Sequence, residues 1–381
     1  MIYFDQAATS FPKPPEVVQA MTEVMTEYAA NPGRGGHALS RRANDTVIRA
    51  REQLADFFGF NHSERVCFTA NATAALNQAI KGFHFLEGDH VLTTSYEHNS
   101  VRRPLEYMKK AVGIEVDYVN IGEFNEFDSD AFCQAIQPNT KMIIVSHGSN
   151  LTGNIVPIDV IGEIAREKEI TFLVDASQTA GIVPIHMSDM SIDLLAFPGH
   201  KGLLGPQGTG VLMVSEGIEL KPLYHGGTGS SSELIEQPNQ LPERLESGTL
   251  NTPGIAGLLA GLNAVKKMGL YEIRKHEQKL TEILVNRLNQ IDYVHVYGPE
   301  KRLAVIPFTI DGIDAQEIAI ILDQHYEIAV RAGLHCTPLG HETIGTSRTG
   351  TVRLSVGPYN TEDEVYKVIE AVEEIVEGYF G

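Results

Sequence analysis

In the segment 197–210, Phe-Pro-Gly-His-Lys-Gly-Leu-Leu-Gly-Pro-Gln-Gly-Thr-Gly, Lys201 follows an apolar run and sits among glycines. Burial disfavours the ammonium form, and the neutral amine that results can form a Schiff base with an aldehyde. The competing reading is a surface lysine in a turn. Upstream, the run 171–175, Thr-Phe-Leu-Val-Asp, ends in a carboxylate and is followed by Ala-Ser-Gln178. At the carboxyl end of a strand, Asp175 would stand where open α/β sheets bind their ligands, and an anion there keeps a ring nitrogen protonated. It could equally be a metal ligand or a helix cap. A third segment, 66–73, runs Val-Cys-Phe-Thr-Ala-Asn-Ala-Thr from an apolar strand through small residues into a helical pattern. Free amides of a first helical turn, with the Thr73 hydroxyl beside them, suit a phosphate; a plain N-cap is the alternative.

The elements that must carry these residues follow from hydrophobic period. Short apolar runs at 66–69, 90–94, 141–146, 170–174, 194–197 and 210–214 read as strands, and Leu76, Ala79, Ile80, Phe83 and Ile158, Ile161, Ile164, Ala165 keep a helical spacing between them. This alternation predicts an α/β core with a mostly parallel sheet. After an apolar helix at 255–265 the order becomes helix, strand 303–309, helix 315–325, strand 328–331, strand 351–356 and a last helix, a smaller α+β unit. Thr361 and Glu364 form a capping box at the start of that last helix. We therefore expect a large domain over 16–265 and a small domain made of 1–15 and 266–381, the latter carrying Cys336 and Arg353. The Gly- and Ser-rich stretch 224–240 reads as a surface loop.

Composition narrows the function classes. The chain has 381 residues with 30 Lys+Arg against 49 Asp+Glu, a formal charge of −19, which argues against nucleic-acid and anionic-membrane partners. At 43% hydrophobic and 21% charged it is a globular composition. The opening Met-Ile-Tyr-Phe-Asp-Gln places an acid where a secretory signal has a basic then apolar run, and no run approaches the ~18 apolar residues of a membrane span. Cys67, Cys133 and Cys336 share no CxxC spacing, which points to a reducing, cytoplasmic setting. The 14 histidines never adopt HxH or HExxH spacing, so no metal site is expected.

Taken together, these segments resemble the class V aminotransferase family of pyridoxal-phosphate enzymes, of fold type I, and within it the group II-like cysteine desulfurases and selenocysteine lyases. The resemblance runs through Tyr3-Phe-Asp-Gln-Ala-Ala-Thr-Ser, Arg34-Gly-Gly-His-Ala-Leu-Ser, Ser95-Tyr-Glu-His-Asn-Ser, Ser146-His-Gly-Ser-Asn-Leu-Thr-Gly, Asp175-Ala-Ser-Gln, Gly199-His-Lys, Glu246-Ser-Gly-Thr-Leu-Asn-Thr, Arg331-Ala-Gly-Leu-His-Cys336 and Arg353. It implies that Lys201 carries pyridoxal 5'-phosphate as a Schiff base, that Asp175 pairs with the pyridinium nitrogen and that Gln178 bonds the phenolic oxygen. His98 would stack on the ring and move protons, with Asn150 beside the ring oxygen. Ala72, Thr73 and His200 would hold the phosphate, and Thr249 would reach it from the other subunit of a homodimer. Arg353 would take the substrate carboxylate on its planar fork, with Asn150 and Arg331 also at the substrate.

Within the family, the thiol selects the reaction. Cys67, in a strand, and Cys133, in a helical stretch, read as small core residues. Cys336 lies in the turn Ala-Gly-Leu-His-Cys-Thr-Pro-Leu-Gly, with His335 adjacent and Arg331 close, cations that favour a thiolate. The resemblance implies that Cys336 takes sulfur from L-cysteine as a persulfide, leaving L-alanine and passing the sulfur to an acceptor protein. Selenocysteine lyase, cysteine sulfinate desulfinase and a lyase acting on cystine are alternatives on the same scaffold, as is a non-catalytic sulfur-carrier. Three positions depart from the family pattern: Pro198 replaces a serine that bonds the phosphate, Leu334 a second histidine and Ala74 an acid. The loss at Pro198 shifts phosphate binding to Ser177 or backbone amides.

Overall fold

The computed structural model describes residues 1–33, 36–120, 129–229 and 233–381. Arg34 and Gly35 of the second quoted segment, and residues 230–232 of the predicted surface loop, lie outside them.

The runs that read as strands assemble into one seven-stranded sheet in the order Val66–Thr69, Gly210–Val214, Leu194–Pro198, Thr171–Asp175, Thr140–Ser146, His90–Thr94, Glu115–Val119. Only Gly210–Val214 runs antiparallel to its neighbours. Strands buried on both faces lose the alternating pattern and become continuous apolar runs, which is why 90–94 and 210–214 were legible residue for residue. Ile143, Val145, Phe172 and Val174 join the apolar cluster on one face, and Met142, Ile144 and Leu173 the cluster on the other. The expected α/β class with a mostly parallel sheet is the class observed.

Glu115–Val119 escaped the sequence reading because it is an edge strand, only half-buried, with Glu115 and Asp117 interrupting its apolar positions. The predicted strand 328–331 proves to be two. Ile328–Ala329 pairs in parallel with Ile2–Tyr3, whereas Arg331–Gly333 pairs antiparallel with Thr351–Ser355 in a four-stranded sheet completed by Val305–Ile310 and Val294–Val296. Both pieces are extended, so local pattern alone could not separate them. The helices Leu270–Leu288, Ala315–Tyr326 and Glu362–Phe380 supply the core of this second unit, and the opening segment contributes Phe4 to it. The Thr361–Glu364 capping box is formed. Cys67 lies fully buried in Val66–Thr69, as a core residue should; Cys133, in the short helix Ser129–Gln134, is only half-buried and so is not the core residue expected.

Two glycines set the approach of the site elements. A Cβ at Gly210 would stand 2.4 Å from the backbone of Asn71, so only glycine lets this strand pass the turn that opens the helix Ala72–Gly82. A Cβ at Gly202 would lie 2.4 Å from the Ala180 carbonyl oxygen, which explains the glycine after Lys201.

Candidate active site

The carboxyl ends of the parallel strands open into one cavity of about 240 Å³, near the lower end of ordinary small-molecule sites, roughly 300–1,000 Å³. Asp175 is the last residue of its strand, and Lys201 follows Leu194–Pro198 by three residues. Both border the cavity, as do Ala72, Thr73, His98 and Asn150, and so do Gln178, His200, Arg331 and Arg353. Ten residues singled out from sequence thus converge on a single site, in agreement with the rule that such sheets bind ligands beyond their carboxyl ends.

The electrostatics are those of a dry pocket. Burial pulls the Lys201 amine down to about 8, partly opposed by the attraction of Asp175. Burial pushes Asp175 up, while hydrogen bonds from the Ser177 amide and hydroxyl to its Oδ1 favour the carboxylate. His98 is lowered to about 4, first by burial and then by the positive charge of Lys201. The Ser100 amide donates to His98 Nδ1 at 3.1 Å, so the neutral ring carries its proton on Nε2. His200 is likewise lowered to about 4 by burial and Lys201.

Asn71 caps the helix Ala72–Gly82, its side chain accepting the Ala74 amide. The amides of Ala72 and Thr73 have no intrahelical carbonyl to bond, and both residues line the cavity. The Ser177 hydroxyl, a possible replacement for the serine missing at 198, is engaged with Asp175 two residues back. The Ser100 hydroxyl also lines the cavity, 2.7 Å from Thr73 Oγ1 and 2.9 Å from His98 Nδ1. Its place in the quoted Ser95-Tyr-Glu-His-Asn-Ser segment was the one signal available.

Several further residues position this set. Glu97 is fully buried, accepts from Thr94 Oγ1 at 2.7 Å and from the Ser146 amide and hydroxyl at 3.0 and 2.8 Å, and is pushed up to about 7 by burial. It ties the turn before His98 to the strand before Asn150. The opening segment straps the lysine turn: the Ser10 amide and Lys13 Nζ donate to the His200 carbonyl at 3.0 and 2.8 Å, and Thr9 Oγ1 lies 3.0 Å from His200 Nδ1. Arg353, 1% exposed, donates through Nη2 to Asp5 at 2.8 Å and through Nη1 to the Asn150 carbonyl at 2.9 Å. Asp5 is the countercharge that lets this guanidinium remain in the interior.

Cys336 is half-buried, with Arg331 Nη2 3.6 Å from its Sγ, but His335 is not the second cation expected beside the thiol: burial lowers its pKa and keeps it neutral, with Nε2 3.0 Å from Thr351. The carboxamide of Asn150 is engaged with the same loop: Nδ2 donates to the His335 carbonyl at 2.6 Å, and Oδ1 accepts from the Thr337 hydroxyl at 2.6 Å. Thr249 stands apart from the cavity, in a surface groove that includes Arg51 and Glu246.

This fold and constellation define an α/β enzyme that holds a half-buried lysine of lowered pKa in one cavity with a buried carboxylate. The chain belongs to the class-V aminotransferase family, whose model matches residues 2–368. It is 36% identical to a probable cysteine desulfurase of Methanothermobacter thermautotrophicus over 98% of this chain and 94% of that one. Among solved structures, the apo cysteine desulfurase of Thermococcus onnurineus superposes with a TM-score of 0.93 at 35% identity, covering 99% of this chain and 95% of its own. The cysteine desulfurase CsdA of Escherichia coli superposes with a TM-score of 0.89 at 25% identity, covering 98% and 94%.

Proposed function

We propose that the protein is a pyridoxal-phosphate-dependent cysteine desulfurase that converts L-cysteine to L-alanine and receives the sulfur on Cys336. The observation that carries this reading is the thiol of Cys336 within 3.6 Å of Arg331, a residue that lines the same cavity as Lys201 and Asp175. An aminotransferase has no need of that thiol.

The residues present fit the cofactor. Lys201 would hold its aldehyde, Asp175 and Gln178 its ring, and Ala72, Thr73, His200 and Ser100 its phosphate, with Thr249 supplied by a second subunit. Bound there, the protonated pyridine ring supplies an electron sink for negative charge at the substrate Cα. Arg353 and Arg331 bind and orient the substrate carboxylate, with Asn150 beside it. The Lys201 amine, lowered to about 8 by burial, accepts the Cα proton in its neutral form. His98, uncharged with its proton on Nε2, stands ready to exchange protons on the cavity side. The Cys336 sulfur attacks the substrate sulfur, the substrate carbon–sulfur bond breaks and its electron pair stays with the carbon fragment, which gains protons to become alanine. Cysteine plus the enzyme thiol thus becomes alanine plus an enzyme persulfide, with no outside oxidant.

The large apolar clusters on the two faces of the seven-stranded sheet, distinct from the one in the second unit, support a large domain over 16–265 and a small one of 1–15 with 266–381. A homodimer, a protein that accepts the sulfur and a cytoplasmic setting belong to the same reading. Among the described residues no helix is long and apolar enough to cross a membrane, and no group of three or more His, Cys, Asp and Glu side chains is placed to hold a metal. The test is mass spectrometry of the products and of the Cys336 peptide after incubation with L-cysteine. Alanine and a peptide heavier by one sulfur atom are expected; pyruvate or unmodified Cys336 with full turnover would refute the assignment.

A further inference from the structure

The loop that bears Cys336 adopts a backbone that these residues do not choose for themselves. His335 and Cys336 are consecutive non-glycine residues in the left-handed region, with φ of +47° and +61°. Two such residues in a row persist only where their surroundings over-determine them. Here the surroundings are explicit. The Asn99 amide donates to the Cys336 carbonyl at 2.8 Å, and His335 Nε2 lies 3.0 Å from both the carbonyl and the hydroxyl of Thr351. Asn150 Nδ2 reaches the His335 carbonyl, and the wholly buried Thr337 hydroxyl donates to Asn150 Oδ1.

Asn150 therefore works in two directions. Its side chain holds the thiol loop, while its backbone carbonyl accepts from Arg353 Nη1. One residue connects the group expected to grip the substrate carboxylate with the loop expected to take the substrate sulfur. We propose that Thr337, acting through Asn150, is a positioning residue that holds the Cys336 thiol in register with Arg353, so that the sulfur of a seated amino acid meets the thiol at attack distance. The inference rests on the desulfurase reading. It assigns Thr337 no contact with substrate; the hydroxyl fixes the orientation of the Asn150 carboxamide, and the carboxamide fixes the loop.

The clamp matters for one step only, the sulfur transfer. Removal of the Cα proton belongs to Lys201 and needs no thiol, so exchange of the Cα hydrogen of L-alanine for deuterium in heavy water reports on the remainder of the site. In the holoenzyme, Thr337→Val keeps the shape and removes the hydroxyl. Thr337→Ala removes it with less bulk and serves if the valine fails to fold, and Thr337→Ser restores it. We expect both hydroxyl-free variants to slow single-turnover persulfide formation at Cys336 by roughly 10–100-fold, as misplacement of a reacting group by a fraction of an ångström does. Alanine exchange should stay within about twofold of the wild type, and serine should recover the transfer rate. Persulfide formation at the wild-type rate in Thr337→Val or Thr337→Ala would overturn the clamp, as would exchange falling in step with transfer. A wild-type enzyme that forms no persulfide at all would instead bring down the desulfurase reading, and the clamp with it.

Discussion

Replacing Asp175 by asparagine isolates the electrostatic heart of the site. The substitution keeps the volume and leaves Oδ1 to accept the Ser177 amide, now at 2.9 Å, so the turn after the strand should survive. What disappears is one negative charge at a position 4% exposed, facing Lys201 and, in the loaded enzyme, the ring nitrogen it is assigned to keep protonated. Removing one partner of a buried ion pair costs about 3–5 kcal/mol. If that cost falls on the step that places negative charge on the substrate, the rate drops by roughly 10²–10⁴. The free Lys201 amine should also titrate below its present value of about 8, because Asp175 is the main influence raising it. The assay is alanine release from L-cysteine under saturating cofactor, with a thermal melt to show that the fold is intact. A folded variant that keeps more than a tenth of wild-type kcat, about 1.4 kcal/mol or less of barrier, would refute the assignment of Asp175.

Other perturbations test separate parts of the structure. Glu277 is buried and pushed up from 4.5 to about 8 by burial, with Oε2 lacking a partner, so the folded state holds it protonated where the unfolded state ionises it. The stability this preserves is complete below about pH 4.5 and drains away as pH rises through 8. Glu277→Gln should therefore match the wild type near pH 5 and melt several degrees above it near pH 9; a constant gap between the two melting curves would contradict the burial of that charge. The Arg51 fork donates to both oxygens of Glu246 at 2.8 and 2.6 Å, away from the cavity, and Arg51→Ala should lower the melting temperature by roughly 5–10 °C, read by calorimetry. Cys336→Ala should retain deuterium exchange at the Cα of alanine yet lose alanine production from L-cysteine by roughly 10²-fold or more, followed by chromatography of the products.

The parts of this molecule that were readable in advance are those whose cause is local. Lys201 and Asp175 stood out because a polar residue at the end of an apolar run is conspicuous, and the sheet places such run-ends side by side. The split at 328–331 was hidden because both halves are extended and only their partners differ, Ile2–Tyr3 for one and Thr351–Ser355 for the other. Asp5 gave no hint of its place beside Arg353, 348 residues further along. Thr337 looked like a turn residue until the fold brought it to Asn150, 187 residues away. Ser100 and Glu97 lay inside a recognised segment, but their roles depend on Thr73 and Ser146, which come from a helix and a strand elsewhere in the chain. Long-range hydrogen bonds of this kind leave no periodic trace.

The claim on which the account turns is that Lys201 is the residue that captures the cofactor aldehyde. Reduction of the holoenzyme with borohydride followed by peptide mapping tests it directly. A single reduced pyridoxyl adduct is expected on the peptide containing Lys201, absent from Lys201→Ala. An adduct on a different lysine, Lys13 included, or retention of the label in Lys201→Ala would contradict it.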